Sequence, residues 1–135
     1  MYEFIKGKLI QARPIMAIVE TNNIGYKVFI PVNCFSKLPQ IGKEVFFYTS
    51  LIIREDAHTI YGFLSQDQRD LFEQLINSVS GIGPKNALAL IGHLEMDHFH
   101  SAIATSDIKM ISKVPGIGKK TAERLVVEMK DKVSE

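Results

Sequence analysis

Two stretches in the C-terminal half carry residue types suited to gripping an anion: SGIGPKNALAL at 80–90 and PGIGKKTAERL at 115–125. They align at a constant offset. Ile76 falls on Ile111, Val79 on Val114, Gly81 on Gly116, Ile82 on Ile117, Gly83 on Gly118, Lys85 on Lys120, Ala87 on Ala122 and Leu90 on Leu125. A single G-x-G between helices is usually no more than a tight turn. Two copies in register are a repeated supersecondary unit, each reading helix, G-I-G hairpin, helix.

The chemistry follows from the backbone. Glycines admit positive φ and leave no Cβ between the main chain and a ligand. Ile82 and Ile117, flanked by glycines, are the expected core anchors of the two turns. Gly83-Pro84 and Gly118-Lys119 then open helices whose first N–H groups have no intrahelical acceptor, and proline suits that first turn. Such groups, at the positive end of a helix dipole, form a phosphate site. Lys85, Lys119 and Lys120 stand beside it, and Arg124 lies one turn further on. Cations so placed neutralise neighbouring phosphates, which gives salt-dependent, sequence-independent binding to a nucleic-acid backbone. The expected DNA-binding set is therefore Gly81, Gly83, Lys85, Gly116, Gly118, Lys119, Lys120 and Arg124.

Bulk charge gives no such signal, because the formal net charge is only +1. Its distribution does: Lys109, Lys113, Lys119, Lys120 and Arg124 face the single acid Glu123 across the second hairpin. Hydrophobic residues make up 46% and charged residues 23% of the 135, a globular balance that excludes a disordered chain.

These hairpins must be carried by helices, and the helical period begins after Ser65. Ser65 and Gln68 are spaced as a capping box, and Leu71, Phe72, Leu75, Ile76 and Val79 recur on one face. Ser106 is a second candidate N-cap, and Ala122, Leu125, Val126, Met129 and Val133 make the stripe of the last helix. Before Ser65 the pattern suits strands. PIMAIVE, YKVFIP, EVFFYTSLII and HTIYGF are β-branched and aromatic runs, with Asn22-Asn23 and Gly25 at one turn and Ser36, Pro39 and Gly42 along a longer connection. Five short strands fit a closed OB-type barrel without exposed edges. The predicted fold is thus α+β: a five-stranded OB-fold barrel over residues 1–63, then an all-helical domain with tandem helix-hairpin-helix motifs over 64–135. Val45 to Ile53 is apolar at nearly every position, which predicts cover on both faces and makes it a candidate oligomer interface.

The remaining chemical candidates are weaker. Cys34 is the only cysteine, so no internal disulfide forms; a reducing, cytoplasmic setting and a small buried hydrophobe are expected. His93, His98 and His100 lack a recognised ligand spacing and read as solvated loop or helix-end residues, so neither metal nor cofactor is expected. Phe29, Phe46, Phe47, Tyr48 and Tyr61 could stack bases of a single strand on the barrel, but their strand spacing suits core or interface. The N-terminus interrupts its apolar residues with Lys6, Lys8 and Arg13, leaving no signal-peptide core, and no run is long enough to span a bilayer. Export and membrane partners are not expected.

In order along the chain, the barrel pattern, the REDA segment (54–57), YGF (61–63), GIGPK and PGIGKKTAERLVVEMKDK resemble the RuvA family over essentially the whole sequence. That resemblance implies a non-catalytic, tetrameric scaffold, doubled to an octamer on DNA, that holds a four-way (Holliday) junction open for branch migration. Recombination, repair of DNA damage and the SOS response are the implied setting. RuvB, the ATP-driven motor, and RuvC are the implied partners. Family members continue through a linker into a third helical domain that contacts RuvB, whereas this sequence stops at Glu135; the resemblance therefore supports junction binding and leaves motor coupling unsupported by these residues. It also places the family's acidic pin on Glu55 and Asp56, which read from residue type alone are a solvated turn. PGIGKKTA is similar as well to the hairpin of base-excision glycosylases, in which Lys120 would be the nucleophile. Asp131, the only suitable downstream acid, lies on the continuing helix with no loop to form a base pocket, and iron-sulfur cysteines are absent, so catalysis is not expected.

Overall fold

Alternation of inward and outward residues sets the first half of the chain. Leu9 is buried between exposed Lys8 and Ile10, while Ala17 and Val19 are buried on either side of half-buried Ile18. The structure, a computed structural model, describes residues 2–133, with side chains through Lys130. Two compact units divide it, Met1–Arg69 and Asp70–Glu135.

In the first unit five strands, β1 (Phe4–Arg13), β2 (Met16–Thr21), β3 (Ile24–Phe29), β4 (Glu44–Ile53) and β5 (His58–Phe63), close into a barrel in the order β1-β2-β3-β5-β4. β1 makes closure possible. Its first half pairs with β4, from Phe4 opposite Tyr48 to Lys8 opposite Glu44, and its second half with β2, with a register shift between Leu9 and Gln11. The parallel pairing of β3 with β5, Val28 opposite Ile60, completes the circuit. Asn22 and Asn23 adopt φ of 52° and 66°, the two-residue turn whose twist matches a hairpin, so Thr21 faces Ile24 and Gly25 lies inside β3. Leu9, Ala17, Val19, Val28, Ile30, Cys34, Val45 and Phe47 form the core.

The connection before β4 contains a one-turn helix, α1 (Val32–Phe35), which the turn residues concealed and which inserts Cys34 into the core. On β4, Val45, Phe47 and Thr49 point inward, whereas Phe46 is 38% and Ile53 51% exposed, so the described residues do not supply the cover expected for its outward face. An apolar run registers the need for cover, not its source. The two compact units divide after Arg69, because the first turn of α2 (Gln66–Ser78) is held to the barrel. There the Arg69 guanidinium, 5% exposed, binds both Glu3 carboxylate oxygens at 3.1 and 3.0 Å and donates to the Thr49 carbonyl at 3.1 Å.

Further along lie α3 (Pro84–His93), α4 (Met96–Ala104), α5 (Ile108–Ser112) and α6 (Lys119–Val133), with α6 packed on α4 and α5. Ser65 Oγ caps α2 by accepting from the Gln68 N–H at 3.2 Å, while the Gln68 carboxamide accepts the Cys34 thiol at 3.7 Å. Ser106 is not a cap. Its φ of 55° puts it in the left-handed region, so α5 starts one residue later and Asp107 caps it, accepting from the Met110 N–H at 3.1 Å. Val133 and Asp131 are outside the residues whose side chains are described.

Candidate nucleic-acid interface

The two repeats fold alike. In each, a helix ends in a turn closed by one main-chain bond, Ile82 N–H to Val79 at 3.2 Å and Ile117 N–H to Val114 at 3.0 Å. Gly81 and Gly116 both adopt φ of 88°, where an L side chain would be strained. Ile82 and Ile117 are 5% and 4% exposed. Burying such a side chain stabilises by roughly 1.5–3 kcal/mol, which pins each turn to the core.

The second glycine of each hairpin works differently from the first. Gly83 is the N-cap of α3, in extended backbone (φ −97°, ψ 179°) with no side-chain cap, and Pro84 follows at the first helical position. A Cβ built on Gly83 or on Gly118 would meet nothing within 4 Å. These glycines are not needed to fit the fold; they keep the surface clear. The first inward main-chain bonds come from Ala87 to Gly83 at 3.0 Å and Ala122 to Gly118 at 2.9 Å. Helix geometry leaves the N–H groups before them without intrahelical acceptors, namely those of Lys85 and Asn86 in α3 and of Lys119 to Thr121 in α6. The side chains of Lys85, Lys119 and Lys120 are exposed beside those groups.

Arg124 has a more specific position. Its Nη1 donates to the Ser80 carbonyl at 3.2 Å and lies 3.0 Å from where a Gly81 Cβ would be. One turn on, Glu128 Oε2 accepts from the Ser80 N–H at 3.1 Å. Sequence reading missed Ser80 and Glu128. The i, i+4 spacing of Arg124 and Glu128 was available as a shared face, but their common target is distant in sequence.

Glu55 and Asp56 sit at the tip between β4 and β5. Arg54 N–H donates to the Ala57 carbonyl at 2.8 Å and Ala57 N–H to the Arg54 carbonyl at 3.4 Å, so the two acids sit in a tight, exposed turn. Behind the tip, Tyr61 lies 6.0 Å ring to ring from Phe29. Burial raises the Tyr61 phenol above its ordinary value, and Arg54 opposes that. Burial likewise raises the Cys34 thiol, against smaller effects of the Leu64 backbone and Lys37. Among the aromatic candidates Phe47 is fully buried, and Phe46 stacks on Phe4 at 4.8 Å with Tyr48 edge-on at 5.0 Å.

His93 ends α3, and His98 and His100 lie on α4, all exposed. Among the described residues no group of three His, Cys, Asp or Glu could hold a metal ion, and no helix is long and apolar enough to cross a membrane. α6 runs unbroken from Lys119 to Val133, so among the described residues no loop follows Lys120 to shape a base pocket.

A closed five-stranded barrel followed by two helix-hairpin-helix units defines an OB-fold protein with a tandem helix-hairpin-helix module. Comparison with known proteins agrees unit by unit: the RuvA N terminal domain matches residues 1–62 and the SAM-like helix-hairpin-helix tandem matches 72–131. The chain is 52% identical over 134 residues to the Holliday junction branch migration complex subunit RuvA of Protochlamydia amoebophila, covering 99% of this chain and 66% of that protein. It is 44% identical over 128 residues to the subunit of the same name from Yersinia pseudotuberculosis, covering 95% and 62%. The chain thus spans roughly two thirds of the length of these curated relatives, and it belongs to the RuvA family.

Proposed function

We propose that this chain binds four-way DNA junctions through their phosphate backbone, without catalysis, as one subunit of a homotetrameric scaffold for branch migration. The observation that carries the reading is the duplicated hairpin, in which Gly83 and Gly118 leave open space at helix starts flanked by lysines. Glu55 and Asp56 act as the acidic pin, four pairs of carboxylates repelling phosphates where strands exchange. The open Phe4–Phe46 face of the barrel supports self-association, and an octamer on DNA would double the ring. RuvB and RuvC are the partner proteins of this reading, in the cytoplasm; in the family the RuvB contact belongs to a third helical domain. Relatives named as branch migration complex subunits support the junction as ligand.

The test is a gel-shift comparison of a four-way junction with linear duplex of the same sequences, accompanied by light scattering with and without junction. A large junction preference and a tetramer mass are expected. Equal affinities would reduce the reading to generic backbone binding, and a monomer on the junction would reject the scaffold.

A further inference from the structure

We infer that Glu128, with Arg124, is a positioning residue that holds the first hairpin in its gripping shape from the helix of the second motif. The inference rests on the proposed backbone-gripping role of the hairpins. Ser80 is held at both ends of its main chain: its N–H by Glu128 Oε2 at 3.1 Å and its carbonyl by Arg124 Nη1 at 3.2 Å. Ser80 immediately precedes Gly81, whose φ of 88° turns the hairpin. Rotation about the Ser80 backbone bonds would carry Gly81 with it and re-aim the N–H groups that follow.

The repeat shows why one hairpin needs the clamp and the other does not. In register, Ser80 corresponds to Pro115. Both stand one residue before a glycine of the same φ, and the segments 79–83 and 114–118 share the same order of bend and turn positions. Pro115 has no N–H to satisfy and a ring that fixes φ. Ser80 has a free φ and a donor, and Glu128 supplies from outside what proline supplies covalently. The clamp is not itself repeated, because Arg124 and Glu128 align with Ala89 and His93.

Charge and positioning predict opposite signs for the same substitution. Glu128 stands near the proposed phosphate surface, so removing its charge would tighten DNA binding if it acted only through the field. As a clamp, its loss weakens binding. Arg124→Ala is a poor probe, since it also removes a cation; Glu128→Ala is clean.

The experiment measures junction and duplex affinity against salt for the intact chain, Glu128→Ala, Glu128→Gln, and Ser80→Pro combined with Glu128→Ala, with circular dichroism and melting on each. For Glu128→Ala we expect affinity to fall about three- to tenfold, the scale of one solvent-exposed hydrogen bond, with an unchanged salt slope. Glu128→Gln, which keeps an acceptor oxygen, should bind like the parent, and Ser80→Pro should restore binding to Glu128→Ala. Tighter or unchanged binding by Glu128→Ala, or no restoration by proline, overturns the clamp. A parent chain that fails to bind DNA at all instead overturns the proposed function, which keeps the two failures apart.

Discussion

Placing asparagine at both hairpin caps, Gly83→Asn with Gly118→Asn, should raise stability and abolish tight DNA binding together. In the free protein nothing opposes the side chains, because a Cβ at either position meets nothing within 4 Å. Gly83 is already in the extended backbone an N-cap requires and has no side-chain cap of its own. Asparagine would supply that cap, a gain of a few tenths of a kcal/mol over glycine. Restricting the unfolded chain adds about 0.4–1 kcal/mol per site. The melting temperature should therefore hold or rise by a few degrees. Binding moves the other way, since the new carboxamide takes the N–H groups that would meet phosphate. One charge-assisted bond lost per hairpin, at about 1.5–3 kcal/mol each, makes roughly 3–6 kcal/mol for the pair. At 1.4 kcal/mol per decade that is about 10²- to 10⁴-fold in affinity. Asparagine is neutral, so repulsion does not confound the result. Fluorescence anisotropy with labelled junction and a thermal melt are sufficient. Parental affinity in a variant of equal or higher melting temperature would refute the phosphate-gripping role of these N–H groups.

Neutralising the proposed pin, Glu55→Gln with Asp56→Asn, should tighten binding, and duplex should gain more than junction. Each close carboxylate–phosphate pair opposes binding by about 1 kcal/mol in water at 4 Å, so unchanged low-salt affinities for both DNAs would reduce the pair to a solvated turn. Alkaline stability should depend on Cys34. Burial raises its thiol above the ordinary 9.0, so the unfolded chain ionises first; the contribution is complete below pH 9 and lost as pH rises through the folded value. Urea unfolding at pH 8 and pH 10 should show the parent losing more stability than Cys34→Ala, and parallel losses would exclude the thiol.

The parts of the fold legible in the sequence were those encoded by neighbours. The Asn22-Asn23 turn, the Ser65 cap and the two periodicities are local patterns, and each has its structural counterpart. Misreadings occurred where a distant contact decided the outcome. Ser106 has the side chain of a cap, yet its hydroxyl accepts from Lys130 Nζ at 3.1 Å and, with its φ at 55°, Asp107 caps the helix instead. α1 is a single turn, too short for a period to register, and what holds it is the burial of Cys34 in the barrel core.

The site divides along the same line, and the division bears on how a duplicated motif can diverge. Glycine spacing announced both hairpins because backbone conformation is a property of the residue itself. The Ser80 clamp was invisible because Arg124 and Glu128 look like ordinary helix-surface charges until folding brings the Ser80 peptide between them. Proline at 115 needs no partner, so the second hairpin can be read from its own few residues. Serine at 80 transfers the same requirement to a helix more than forty positions away. Two copies that look equivalent along the chain are thereby unequal in what maintains them: the first hairpin's shape depends on the second motif being folded, while the proline constraint on the second is local. Damage to α6 should therefore disturb both grips, whereas damage confined to the first hairpin leaves the proline constraint at Pro115 intact.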